Sequence, residues 1–192
     1  MIVAPLRERW AAIAAQPWRP VTSVGALSAI AVGVVLLAGA SLGDRWIPVV
    51  DHANLVFHEA GHVIVGLFSS RVAVYGGTLG QLVFPVIATF TFWRRREPVA
   101  CAIAAFWLCQ NLLNIATYLG DARAMQLPLI GGMDPELAHD WREILGRWGL
   151  IAWDTRLASL LVFAAWCAGL AIATWLLLRW QAGERGGATR RI

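Results

Sequence analysis

From Val24 to Leu42 the chain runs without one charged side chain, and nothing else in the sequence constrains its folding more. A helix rising 1.5 Å per residue needs about 20 apolar residues to cross a hydrocarbon core of ~30 Å. Comparable stretches follow at Val49 to Phe68, Leu79 to Trp93, Pro98 to Leu119 and Leu157 to Trp180. Across 192 residues, 58% are hydrophobic and only 15% charged, too apolar a balance for an ordinary soluble domain. The predicted architecture is therefore an all-α membrane protein of about five transmembrane helices.

Charge patterning divides the remainder. Residues 1–23 set Arg7, Arg9 and Arg19 among Trp10, Trp18 and three prolines, which predicts a short interfacial segment, and the apolar run Val24 to Leu42 that follows it is expected to be retained as an anchor rather than removed as a signal. Residues 24–180 form one polytopic domain, with a core at 49–121 and a polar loop at 120–156 that holds half of the twelve acids. Residues 181–192 read as a disordered basic tail. Every basic residue is an arginine flanking an apolar run, which fits anchoring in a lipid bilayer and gives no nucleic-acid signature. Five alternating spans divide the sixteen arginines equally, so charge leaves the orientation open. Cys101, Cys109 and Cys167 lie in apolar stretches without metal-site spacing and read as packing residues.

Between the second and third apolar runs, Val72-Ala-Val-Tyr75 is β-prone and is followed by Gly76, Gly77 and Gly80. This predicts a short re-entrant strand or turn, whose edge could hold an extended peptide.

The second run carries the chemistry. Within it stands His58-Glu-Ala-Gly-His62. Residues four apart lie one turn along the same helical face, so both imidazoles can reach one ion. Glu59, about 100° round the helix, stays out of the ligand set but within reach of a water on the metal. Zn2+ in such a site lowers the pKa of its water toward ~7 and polarises a peptide carbonyl, and Glu59 is the predicted general base for amide hydrolysis. Ionisable groups in a membrane span cost about 2.5 to 3.5 kcal/mol each, so three within five residues call for a function.

One helix cannot complete a zinc site, and the third ligand must come from elsewhere. The end of the fourth span supplies a polar stripe in QNLLNIATYLGDAR, with Gln110, Asn111, Asn114, Thr117, Tyr118 and Asp121. Its amides could equally glue helices together. Asp121 is the favoured ligand by charge and position, and His139, in the loop sequence AHDW, is the competing one. Asp134, Asp140 and Glu143 near His139 could orient a ligand, as could Asp51 and His52 before HEAGH. Gln81 either faces the site or packs helices.

HEAGH in a membrane span, a glycine-rich stretch after it, and an Asn-containing helix ending in an aspartate together resemble the site-2 protease family of intramembrane zinc metalloproteases. The resemblance covers residues 49–121 and implies a three-helix zinc-binding core. It implies His58, His62 and Asp121 as metal ligands, Glu59 as the catalytic base, and a membrane protein or peptide as substrate. Asp121 stands in YLGDA where the family carries LDG, Asn114 is spaced differently from the family's Asn, and the intervening proline is absent. The expected location is the bacterial inner membrane, as a multi-pass protein.

Two other readings compete with a protease. A zinc-binding membrane sensor or scaffold would need the histidines but not Glu59. A di-iron oxidase needs more histidines than the four present.

Overall fold

The computed structural model describes residues 6–127 and 139–189; Asp134 lies outside them. Seven α-helices account for most of this: α1 (Leu6–Ala15), α2 (Ser23–Gly39), α3 (Val50–Gly66), α4 (Ala73–Arg94), α5 (Pro98–Gly120), α6 (Asp140–Trp148) and α7 (Asp154–Thr189). Local chemistry sets their ends. The Thr22 hydroxyl accepts the Gly25 amide at 3.0 Å to start α2. Pro98 occupies the first turn of α5, where its missing N–H costs nothing. Gly149, at φ 68°, stops α6.

Three helical segments are long and apolar enough to cross a membrane: Ser70–Arg94, Pro98–Gly120 and Ile151–Glu184. α2 and α3, each of 17 residues, are shorter. The apolar core lies between α2, α5 and α7, where Ala29, Leu37, Phe106, Leu113, Ala165 and Leu176 are buried. Small residues bring these helices close: a methyl on Gly33 would fall 2.7 Å from the Phe106 ring.

The contacts also fix which ends lie together. The Arg19 amide donates to Arg96 O at 2.9 Å, the Arg96 guanidinium grips Ile13 O, and the Trp180 indole donates to Ser23 Oγ at 3.2 Å. The N-terminal segment, the α4–α5 turn and the far part of α7 therefore share one end of the bundle. Five spans of alternating direction would separate the N-terminal segment from the other two. The difference arises at α3, which carries Asp51, His52, His58, Glu59 and His62 and runs from α2 toward the opposite end rather than back.

α3 meets α4 backbone to backbone. A Cβ on Gly61 would fall 2.0 Å from Gly76 O, and one on Gly80 would fall 2.2 Å from Phe57 O. Only residues without side chains let two helices approach so closely. The glycines predicted to make a turn are thus the floor of a helix pair. Val72–Tyr75 is correspondingly helical: residues 70–72 form a 3-10 turn that leads into α4. Among the described residues there is no strand. Beyond Trp180, α7 continues as helix to Thr189.

Candidate metal centre

His58 and His62 project from α3 toward the N-terminal half of α4 and the start of α6. Their Nε2 atoms lie 2.8 and 3.0 Å from the same oxygen, Asp140 Oδ2. One ligand atom from each of the three residues falls within 4.8 Å of the others, so the group could hold a metal ion. The carboxylate that meets the histidines is Asp140 of α6. Asp121, the carboxylate favoured from the sequence, caps the chain after α5, accepting the Gln126 and Leu127 amides at 3.0 Å each.

Both imidazoles are oriented from behind. His62 Nδ1 lies 2.9 Å from Ala73 O, which only accepts, so Nδ1 carries a proton and Nε2 is the ring nitrogen left to face a cation. For His58 the same result is reached through a chain of amides. Asn111 Nδ2 donates to the Trp107 carbonyl at 3.1 Å, which turns Asn111 Oδ1 toward Gln81 Nε2 at 3.3 Å. That in turn aims Gln81 Oε1 at His58 Nδ1, 2.9 Å away, and leaves His58 Nε2 to face Asp140. Two imidazole Nε2 atoms and a carboxylate oxygen converge, a ligand set that could hold a cation.

The amide chain continues inward. Asn111 Nδ2 and the Trp107 indole both donate to Asn54 Oδ1, at 3.2 and 2.9 Å, while Asn54 Nδ2 donates to Gln110 Oε1 at 2.9 Å. Gln110 Nε2, at 2.6 Å, and Asn114 Nδ2 end on the buried Asp51 carboxylate, which also receives the Ile47 amide. Asp51 is thereby satisfied without a cation. The stripe read from α5 does both things considered for it: it joins α3 to α5 and, through Asn111 and Gln81, sets a ligand.

Gly77 forms the floor beneath the imidazoles. A Cβ there would sit 2.3 Å from His58 Nε2 and 2.5 Å from His62 Nε2, so the space both rings face exists because residue 77 has no side chain. This cradle and the donor set fit a small cation bound by two imidazoles and a carboxylate.

Asp140 is held in turn. Its backbone N–H donates to the Tyr118 hydroxyl at 2.9 Å, and the Tyr118 ring stacks on His139 at 4.3 Å. His139 caps α6, its Nδ1 accepting the Arg142 amide at 3.3 Å. Burial pushes the His139 imidazole below its ordinary pKa in spite of the nearby Asp121, so it is neutral. With Nδ1 accepting, Nε2 carries the proton and points at Asp121 Oδ2, 3.5 Å away. Both residues considered for third ligand thus flank it rather than join it.

A cavity of about 730 Å³ opens over this centre, lined among others by Glu59, Ser70, Val74, Tyr118 and Glu143. Glu59 is exposed to it and makes no hydrogen bond or ion pair to the described residues. α6 borders the cavity, held to the start of α4 by Arg147 Nη1 on Arg71 O at 2.5 Å and by Trp148 stacked on Tyr75. His52 packs against Trp46 instead of the centre. Asp140 was readable only as a neighbour of His139, and Asn54 gave no signal apart from lying seven residues from Gly61 on the same helix.

No protein-family model, curated protein or solved structure matches the chain.

Proposed function

We propose that this chain is an intramembrane zinc metalloprotease, a compact relative of the site-2 proteases, with His58, His62 and Asp140 as its metal ligands. The observation that carries the reading is the cluster of two imidazoles and a carboxylate beside Glu59, which faces an open cavity and pairs with none of the described residues. A binding site alone has no use for a free carboxylate next to its first histidine.

Two imidazoles and one carboxylate, with a side left open, are the ligand types and number of a catalytic zinc site. Zinc bound there supplies a Lewis acid for the peptide carbonyl and a water acidified toward neutral pH. Glu59 takes the proton from the attacking water and returns it to the leaving amine. Gln81 and Ala73 O keep both imidazoles turned toward the cavity, and Tyr118, through the Asp140 amide, keeps the carboxylate beside them. Because Val72–Tyr75 is helical, the substrate is not held on a strand edge there.

Val63 and Ile64 of α3, Leu67 and Phe68 in the turn that follows it, and Val83, Phe84 and Ile87 of α4 are exposed, an apolar surface suited to lipid. In a bilayer, α4, α5 and α7 each cross, and α2 with α3 together make a fourth crossing. The substrate is a membrane-associated peptide segment entering the cavity from the α3–α4 face.

Glu59→Gln tests the reading. Wild type reconstituted with zinc is expected to cleave a model transmembrane substrate; the variant is expected to keep its zinc and lose roughly 10²–10⁴-fold in rate. Normal cleavage by the variant, or none by zinc-loaded wild type across a panel of membrane substrates, would falsify the protease assignment.

A further inference from the structure

At the other end of the bundle two arginines share one tryptophan. The Arg96 guanidinium carbon lies 4.9 Å from the Trp18 ring centre and that of Arg179 lies 4.4 Å from the same centre. Arg96 also stacks on Trp93 at 4.9 Å, and Arg179 on Trp175 at 5.2 Å. The two positive charges are therefore at most roughly 9 Å apart, about one Debye length at moderate salt. No acid among the described residues pairs with either, since the nearby Glu97 is taken by Arg19 at 3.2 Å.

Their hydrogen-bonding capacity is largely unspent. Arg96 is buried and places Nε and Nη2 on Ile13 O, at 3.0 and 2.6 Å, while its Nη1 makes no hydrogen bond to the described residues. Arg179 makes no hydrogen bond to the described residues, and its Nε is buried without an acceptor. A guanidinium offers five donors in a planar fork that matches phosphate oxygens. Burying such a donor unpaired is costly, and none of the described residues offers it an anion.

We propose that Arg96 and Arg179, clamped on Trp18, form a binding site for the phosphate of an anionic lipid headgroup. Location argues for a lipid rather than a soluble phosphate. The cluster joins the ends of three apolar elements, α2, α4 and α7, and Trp10, Trp18, Trp93, Trp175 and Trp180 surround it as an interfacial aromatic belt. Eight arginines with described backbone lie toward this end (7, 9, 19, 94, 95, 96, 179 and 185) against six toward the metal centre (45, 71, 123, 142, 147 and 156). That excess faces this end to the cytoplasm, where anionic headgroups concentrate.

The test is native mass spectrometry of the full chain released from detergent carrying equal phosphatidylglycerol and phosphatidylcholine. Wild type is expected to retain one phosphatidylglycerol in preference to phosphatidylcholine. Arg179→Gln and Arg96→Gln should each weaken that preference roughly fivefold, the worth of one arginine near a charged interface. Arg179→Lys should keep most of it, which separates loss of charge from loss of fold. A parallel arm adds inorganic phosphate in excess. Equal retention of the two lipids by wild type, an undiminished preference in Arg179→Gln, or displacement of the lipid by inorganic phosphate would each overturn the proposal. The reading of the metal centre is untouched by any of these outcomes.

Discussion

Replacing Gly77 by alanine is a one-methyl test of the metal centre. The methyl carbon would sit 2.3 and 2.5 Å from the Nε2 atoms of His58 and His62, so each ring must withdraw by about 1 Å to reach an ordinary contact of ~3.5 Å. Both rings are tied by 2.9 Å hydrogen bonds, to Gln81 Oε1 and Ala73 O, and a shift of that size breaks them. Two lost hydrogen bonds at ~1 kcal/mol each are partly offset by the ~1 kcal/mol that alanine gains over glycine within a helix. Overall stability should therefore change by only about 1 kcal/mol. Metal binding should suffer far more, because coordination tolerates about 0.2 Å of displacement, and disturbing only a ligand's supporting partner already costs roughly 10–100-fold in affinity. The assay is zinc content by elemental mass spectrometry after dialysis against fixed free zinc, beside a thermal melt followed by circular dichroism in the same detergent. Gly66→Ala is the control, since its methyl would meet only Ala73 Cβ at 3.7 Å. If Gly77→Ala binds zinc as wild type does, the cluster is not the metal site.

Two further outcomes follow from the same geometry. Asp140→Ala is expected to abolish zinc binding, whereas Asp121→Ala, acting through His139 and the loop it caps, should weaken it by roughly 10–100-fold; elemental analysis of both proteins that gave the reverse order would return the third ligand to Asp121. Gly61→Ala drives a methyl into the α4 backbone and should destabilise the protein by about 1–3 kcal/mol or more, read as a lowered melting temperature beside the unaffected Gly66→Ala.

What the sequence made legible depended on how local each relation is. His58, Glu59 and His62 lie within one helical turn and a half, so periodicity alone places them around one point. Asp140 reaches that point only because α6 docks on α4 through Arg147 and Trp148, a tertiary relation with no periodic signature. Its one local sign was adjacency to His139 at the start of an amphipathic helix. The α5 stripe could be read as polar and inward-facing, but the direction of its hydrogen bonds comes from acceptor-only and donor-only partners, the Trp107 carbonyl and indole on α5 and Asp51 on α3, which meet only when the helices pack. Gly76 and Gly80 suggest a turn when read for backbone freedom, and a helix contact when read as two small residues four apart. The partner glycine on α3 decides between them. Among the described helices three are long and apolar enough to cross a membrane, and α3 is not one of them: at 17 residues it is short, and its polar side is buried.

Two ligands sit on the α3–α4 hairpin, whose backbones touch, and the third sits on a helix that reaches them only after residues 63–139 have run through two apolar helices and back. An ion shared by His62 and Asp140 would act as a cross-link closing that whole stretch into a loop, and closures of long segments remove the most freedom from an unfolded chain. The helix that borders the cavity would then be fastened by the same ion that would serve the chemistry beside it.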